Sequence, residues 1–179
     1  MVRLPGGRRN EEIFGLEGKT MENNGSSTLY YESPIGWIEI AGTKEGIQAL
    51  RFVKKPAKDA EDPPVCLVLC RKQLDDYFKG TGTTFAVPLA LEGTPFQKAV
   101  WMALLEIPFG TWTTYGEIAE SIGRPNAARA VGQANHSNPV AIVVPCHRVM
   151  GTDGRLVGYG SGLWRKEWLL DHEGVLMAS

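Results

Sequence analysis

The chain is predicted to be an α/β protein in two parts, a small α/β domain followed by a mainly helical domain. Three observations lead there. Between Leu29 and Phe52, short segments rich in β-branched and aromatic residues alternate with turn residues. Between Val65 and Phe78, apolar residues recur at the spacing of one helix face. From Thr94 onward the periodicity stays helical, and two of the helices are separated by a short Gly-containing turn.

Residues 1–27 are polar, with the clusters Gly6-Gly7-Arg8-Arg9-Asn10 and Glu22-Asn23-Asn24-Gly25-Ser26-Ser27, and are expected to form a disordered tail. Met21 is a possible alternative start. Residues 28–92 form the expected first domain. Leu29–Ser33 and Gly36–Ala41 read as strands joined at Pro34, and Gly46–Phe52 as a third strand of a meander. Lys54–Pro64 is a charged connection. In the following helix Leu67, Cys70, Leu74, Tyr77 and Phe78 share a face, and Gly80 ends it.

Residues 93–179 form the second domain. Pro95 suits a helical first turn, and Phe96, Val100, Leu104 and Ile107 line one side of that helix. Gly116–Ile122 is a short helix closed by Gly123-Arg124-Pro125. Asn126 is the expected N-cap of the next helix, Ala127–Asn135. Val140–Val144 is a buried apolar run that stops at Pro145. Gly151–Gly154 is a turn, and Trp164–His172 the last helix.

Composition narrows the function less than the motifs do. With 43% hydrophobic and 22% charged residues the profile is that of an ordinary soluble domain. No apolar run nears the roughly 18–20 residues that span a bilayer, so no membrane partner is expected. The first residues lack the apolar centre of a signal peptide, which gives a cytoplasmic expectation. A formal net charge of −1 means that any nucleic-acid binding must come from local arrangement, not a global field. Three cysteines do not make a disulfide framework.

The informative stretch is Asn138-Pro139 followed by Val140 through Val144 and Pro145-Cys146-His147-Arg148-Val149. In an extended strand, Cys146 and His147 would point to opposite faces. They converge only if the chain bends at Pro145. Taken alone, Cys146 reads as readily as a small buried hydrophobe as it does as a reactive thiol, and His147 as a turn residue. A free thiol is only a few per cent ionised at neutral pH, so a nucleophilic role needs a base; Glu173 is available to orient one.

The run Pro145-Cys146-His147-Arg148-Val149 resembles the signature of the O6-alkylguanine-DNA alkyltransferases. The resemblance extends, in order and spacing, through Thr114–Ala119, Ala127–Gly132, Asn138-Pro139, Gly158–Leu163, Lys166–Leu170 and His172-Glu173-Gly174. It is strong over about residues 94–175 and holds in outline over 28–92. It implies an RNase H-like N-terminal α/β domain followed by a winged-helix-like DNA-binding and catalytic domain. The implied activity is repair of double-stranded DNA. An alkyl group moves from O6 of guanine, and by extension O4 of thymine, to Cys146, once per molecule and without a cofactor.

The same resemblance assigns roles. His147 acts through water as base, Glu173 holds its ring, Tyr115 protonates the leaving guanine, and Asn138 fixes the turn. Arg129 fills the hole left by a flipped nucleotide. Ala127, Ala128, Ala130 and Gly132 let the helix backbone approach the minor groove. Val149, Tyr159, Gly160 and Ser161 contact the flipped base. The protein is expected to act as a monomer. The zinc ligands of some animal members have no counterpart, and Cys66 and Cys70 read as buried helix residues; no metal is expected. Non-catalytic relatives carry tryptophan at the reactive position, whereas this chain has Cys146. The rival readings are a lesion sensor that does not react and a cysteine hydrolase using the same three residues.

Overall fold

The computed structural model describes residues 25–176. The expected tail therefore falls mostly outside the described residues; where the two overlap, Ser27 already belongs to the first strand.

Strands β1 (Ser27–Ser33), β2 (Gly36–Thr43) and β3 (Gly46–Val53) form an antiparallel sheet in sequential order. Their alternation buries Leu29, Ile38, Ile40, Ile47 and Leu50. Helix α1 (Val65–Phe78) covers that face with Leu67, Cys70, Leu74 and Tyr77. An exposed edge on β3 would invite pairing with another chain. Two later segments cover it. Ile47 exchanges backbone hydrogen bonds with Pro88 and Ala90, and Leu50 with Pro139 and Ala141. The second exchange matters most here, because it pins the residues leading to Cys146 against the N-terminal sheet.

The second domain is built from α2 (Pro95–Leu105), α3 (Tyr115–Ser121), α4 (Ala128–His136) and α5 (Leu163–His172). Two short parallel strands, β4 (Thr113–Thr114) and β5 (Val149–Met150), join its halves. The starts of α2 and α3 are set by reciprocal capping boxes, Thr94 with Gln97 and Thr114 with Glu117. At α4 the expected cap is absent. The capping position is Ala127, no side chain caps the helix, and Asn126 lies one residue too early. A backbone hydrogen bond from Ala127 to Arg124 supports the turn instead. Trp101 of α2 is buried and donates its indole N–H to the Ala134 carbonyl at 2.8 Å, locking α4 onto the domain.

The apolar run Val140–Val144 is buried throughout, but it is not a strand. Ile142 has φ +71°, a region that β-branched residues rarely enter. Val143 N–H bonds back to Ala141, and Val144 N–H to Val140. The segment is a compact knot of turns held by β3 on one side and Asn138 on the other.

Candidate active site

Pro145 makes the bend that convergence of Cys146 and His147 requires. With φ −81° and ψ 62° it centres an inverse γ-turn, closed by the Cys146 N–H to the Val144 carbonyl at 2.8 Å. A single turn of 3-10 helix, Cys146–Arg148, follows at once. Asn138 clasps the run before it. Its Nδ2 donates to the Val144 carbonyl at 2.8 Å, and its Oδ1 accepts from the Val140 N–H at 3.0 Å. Asn135 of α4 reaches the same turn, donating to the Cys146 carbonyl at 3.2 Å. The turn that presents Cys146 is thus tied to both the sheet and the helix-turn-helix.

His147 is fully buried and meets Glu173 just beyond α5. Its Nε2–H donates to Glu173 Oε1 at 2.7 Å, which sets the tautomer and leaves Nδ1 unprotonated. The carboxylate is heavily engaged. Arg148 Nε donates to Oε2 at 2.8 Å and Arg148 Nη2 to Oε1 at 3.0 Å; Tyr77 and the Gly110 N–H add two more bonds. Arg148 is held in turn by the Ile107 carbonyl, 2.6 Å from Nη1.

The electrostatics follow from this burial. Burial pushes the Glu173 carboxyl up, but His147 and Arg148 outweigh it and hold the group at about 2. Burial pushes the His147 imidazole below its ordinary value, and the pull of Glu173 does not restore it. The ring is a neutral base at rest. Burial also raises the Cys146 thiol, against the opposing pull of Asn138, Lys166 and backbone N–H groups. Lys166, on α5 and buried, donates to the Val149 and Val157 carbonyls at 2.5 and 2.8 Å. Burial lowers its ammonium to about 8.

Among the described residues, three buried side-chain atoms lack a protein hydrogen-bond partner: Asn135 Oδ1, His147 Nδ1 and Tyr159 Oη. All three belong to residues gathered around Cys146, for Asn135 holds its carbonyl and its charge bears on Tyr159. Native interiors leave few polar groups unpaired, and such a concentration marks a place built to receive something.

The remaining expected residues fall around this centre. Tyr115 opens α3 at the Gly132 side of α4, where a Cβ built on Gly132 would lie 3.8 Å from its ring. Its hydroxyl donates to the Val157 carbonyl at 3.2 Å. Arg129 and Ala130 are exposed on α4, and Ala127 and Ala128 are half-buried at its start. Val149 is buried next to the 3-10 turn, and Tyr159 is buried between exposed Gly160 and the flanking loop that carries half-buried Ser161. A Cβ on Gly160 would come 3.4 Å from the His136 ring. Cys66 and Cys70 are buried in α1, the Cys66 thiol against the Thr43 carbonyl. Among the described residues no group of three or more His, Cys, Asp or Glu side chains is placed to hold a metal ion, and no helix is long and apolar enough to cross a membrane.

Sequence reasoning missed Tyr77, Asn135, Arg148 and Lys166 as parts of the centre. Arg148 and Lys166 stood inside recognisable motifs without a role. Tyr77 gave no signal beyond an apolar place on a helix face.

Two family models match the chain. Residues 28–91 match the ribonuclease-like domain, and residues 95–175 the DNA-binding domain, of 6-O-methylguanine DNA methyltransferase. The chain is 52% identical over 154 residues to the methylated-DNA–protein-cysteine methyltransferase of Methanosarcina acetivorans, covering 82% of this chain and 99% of that one. Among solved structures it is similar to the O6-methylguanine methyltransferase of Mycobacterium tuberculosis, with 45% identity and a TM-score of 0.75 over 83% of this chain and 92% of that one. A structure of the Mycobacterium tuberculosis protein in complex with DNA is 48% identical, with a TM-score of 0.73, covering 80% of this chain and 90% of that one.

Proposed function

The chain belongs to the 6-O-methylguanine DNA methyltransferase family, the methylated-DNA–protein-cysteine methyltransferases, and on that premise we propose that Cys146 is the sulfur to which the alkyl group moves. The activity itself is DNA repair by alkyl transfer from O6 of guanine to a protein cysteine. The observation that carries the residue assignment is the sequence Cys146, His147 and the contact to Glu173: a buried thiol followed in the chain by a buried imidazole whose Nε2 is fixed by a carboxylate at 2.7 Å.

The chemistry suits these groups. The carbon attacked is a saturated alkyl carbon, so no oxyanion forms and no oxyanion hole is called for. His147 Nδ1 takes the Cys146 proton through water, and Glu173 stabilises the imidazolium. The sulfur–carbon bond forms as the carbon–O6 bond breaks, and the electron pair returns to the guanine ring. Tyr115, whose phenol is kept protonated by burial and by the nearby Cys146, supplies a proton to the departing base. The product on the protein is a thioether, which neither His147 nor Glu173 can hydrolyse. One transfer therefore ends the working life of the molecule.

DNA is the partner, met in the minor groove by α4. Small residues Ala127, Ala128, Ala130 and Gly132 allow close backbone approach, and exposed Arg129 occupies the space of the flipped nucleotide. Backbone groups of Cys146, Val149 and Gly160, with Tyr159 and Ser161, surround the extruded base. O4-alkylthymine is a second substrate, and the protein acts as a monomer in the cytoplasm. The decisive experiment mixes the protein with duplex carrying O6-methylguanine and measures intact mass. Gain of one methyl group, mapped to Cys146, supports the reading. Binding without mass gain would make the protein a lesion sensor, and repeated turnover a hydrolase.

A further inference from the structure

Building on the reading of Cys146, His147 and Glu173 as reacting group, base and orienter, we propose that Tyr77 of the N-terminal domain is a positioning residue of the transfer reaction. Its hydroxyl holds Oε1 of Glu173 and limits how far that carboxylate can stabilise a protonated His147.

The contact is short and closed to solvent, with Tyr77 Oη donating to Glu173 Oε1 at 2.8 Å. That same oxygen receives His147 Nε2 at 2.7 Å and Arg148 Nη2 at 3.0 Å. A carboxylate oxygen offers about two lone-pair directions, so three donors compete for it. Each bond that Tyr77 strengthens is taken from the charge available to His147. Tyr77 can hold this position because its own support is rigid. Its carbonyl accepts from His172 Nε2 at 2.7 Å, and its ring sits edge-on to His172 and Phe109 with centroids 5.0 and 6.1 Å away. His172 is itself stacked on Trp168 at 5.0 Å. Burial, then Glu173, push the phenol well above its ordinary value, so the hydroxyl remains a donor at any working pH.

The groups that face His147 set the sign. Its own turn contributes Arg148, α5 contributes Lys166, the residue after α5 is Glu173, and Tyr77 of α1 acts on it by way of Glu173. Arg148 and Lys166 disfavour the imidazolium and Glu173 favours it. Removing the Tyr77 hydroxyl frees one direction on Oε1, lets Glu173 pair more tightly with His147, and raises the proton affinity of the ring. A more acidic phenol in the same place does the opposite.

The test uses the full chain in three forms: unaltered, Tyr77→Phe, and with Tyr77 replaced by 3-fluorotyrosine. Nitrogen-15 NMR of labelled histidine reads the His147 titration without substrate, and single-turnover transfer from O6-methylguanine duplex is followed across the same pH range. The phenylalanine variant is expected to titrate higher by about 0.5–1 pH unit, and the fluorinated protein lower. The acid limb of the transfer rate should move with each. If neither substitution moves the His147 titration, Tyr77 only packs and the proposal is wrong, whatever happens to the melting temperature. Should Tyr77→Phe fail to fold, the fluorinated protein keeps its hydroxyl and still decides the matter. Absence of alkyl on Cys146 in the unaltered protein would instead remove the reading of the site, and the substrate-free titration keeps the two failures apart.

Discussion

Arg148 grips both oxygens of Glu173, Nε on Oε2 at 2.8 Å and Nη2 on Oε1 at 3.0 Å, inside a core that leaves the carboxylate no exposure. The carboxylate therefore has two duties, to orient His147 and to neutralise a buried guanidinium. Glu173→Gln tests both. Loss of the orienting charge should slow transfer about 100-fold, within the range expected when acid–base assistance fails. The unpaired Arg148 should destabilise the protein by about 3 kcal/mol, read from the urea midpoint. Affinity for DNA should barely change, since Glu173 is buried away from the exposed face of α4. An undiminished transfer rate would remove Glu173 from the chemistry.

Acid should find the same weak point. In the folded chain Glu173 is held at about 2, below its ordinary 4.5, because His147 and Arg148 together overcome the upward push of burial. A depressed carboxyl stabilises the fold above its unfolded value and loses that contribution as pH falls toward its folded one. Stability should therefore drop by about 3 kcal/mol between roughly pH 5 and pH 2 from this group alone. Urea unfolding at stepped pH measures it. The Glu173→Gln protein should show a shallower slope over that window, and equal slopes would contradict the assignment.

On the proposed reading, extrusion of the base and reaction with it should separate at Arg129. This side chain is exposed on α4 and lies outside the hydrogen-bond network around Cys146. Arg129→Ala should slow repair of duplex DNA at least about 10-fold while changing reaction with free O6-benzylguanine little, because the free base needs no flipping. Equal losses on the two substrates would assign Arg129 to the fold.

No step of the chemistry calls for a metal, and Cys66 and Cys70 lie buried in α1. Transfer should survive EDTA at full rate. Loss of activity in chelator, restored by zinc, would overturn the reading of those two cysteines.

Stoichiometry gives the sharpest outcome. Excess substrate should leave one alkyl group per protein, on Cys146, with restored guanine as the other product. Cys146→Ala should bind DNA and transfer nothing. Peptide mass spectrometry reads both, and label on Cys66 or Cys70 would contradict the central assignment.

The limits of sequence reading follow from what its signals are made of. Apolar spacing placed α1 from Val65 to Phe78, and adjacent thiol and imidazole with a preceding proline forecast the bend before Cys146. Both are local patterns. The same logic failed at Val140–Val144, where hydrophobicity forecast burial but not conformation; Ile142 adopts a positive φ because Asn138 and β3 hold the chain on both sides. It failed at Asn126, a good capping residue in isolation, because the turn from Arg124 closes at Ala127, one residue later. Tyr77 was invisible for a different reason. Its partner lies 96 residues away, and nothing in a helix face tells whether its hydroxyl meets solvent or a carboxylate.

The sulfur of Cys146 belongs to a residue only 5% exposed. If each molecule transfers once, as proposed, it has a second enemy besides its substrate, namely peroxide and other small oxidants that convert accessible thiolates to sulfenic acid. Susceptibility to them follows thiolate character and exposure, and here burial opposes both. With Cys146 as the proposed acceptor, the depth that makes ionisation harder acts as a shelf life, preserving the unspent thiol between encounters with damage. Substitutions that open the turn, at Asn138 above all, should lose active protein to peroxide on standing, even where the freshly prepared protein still reacts.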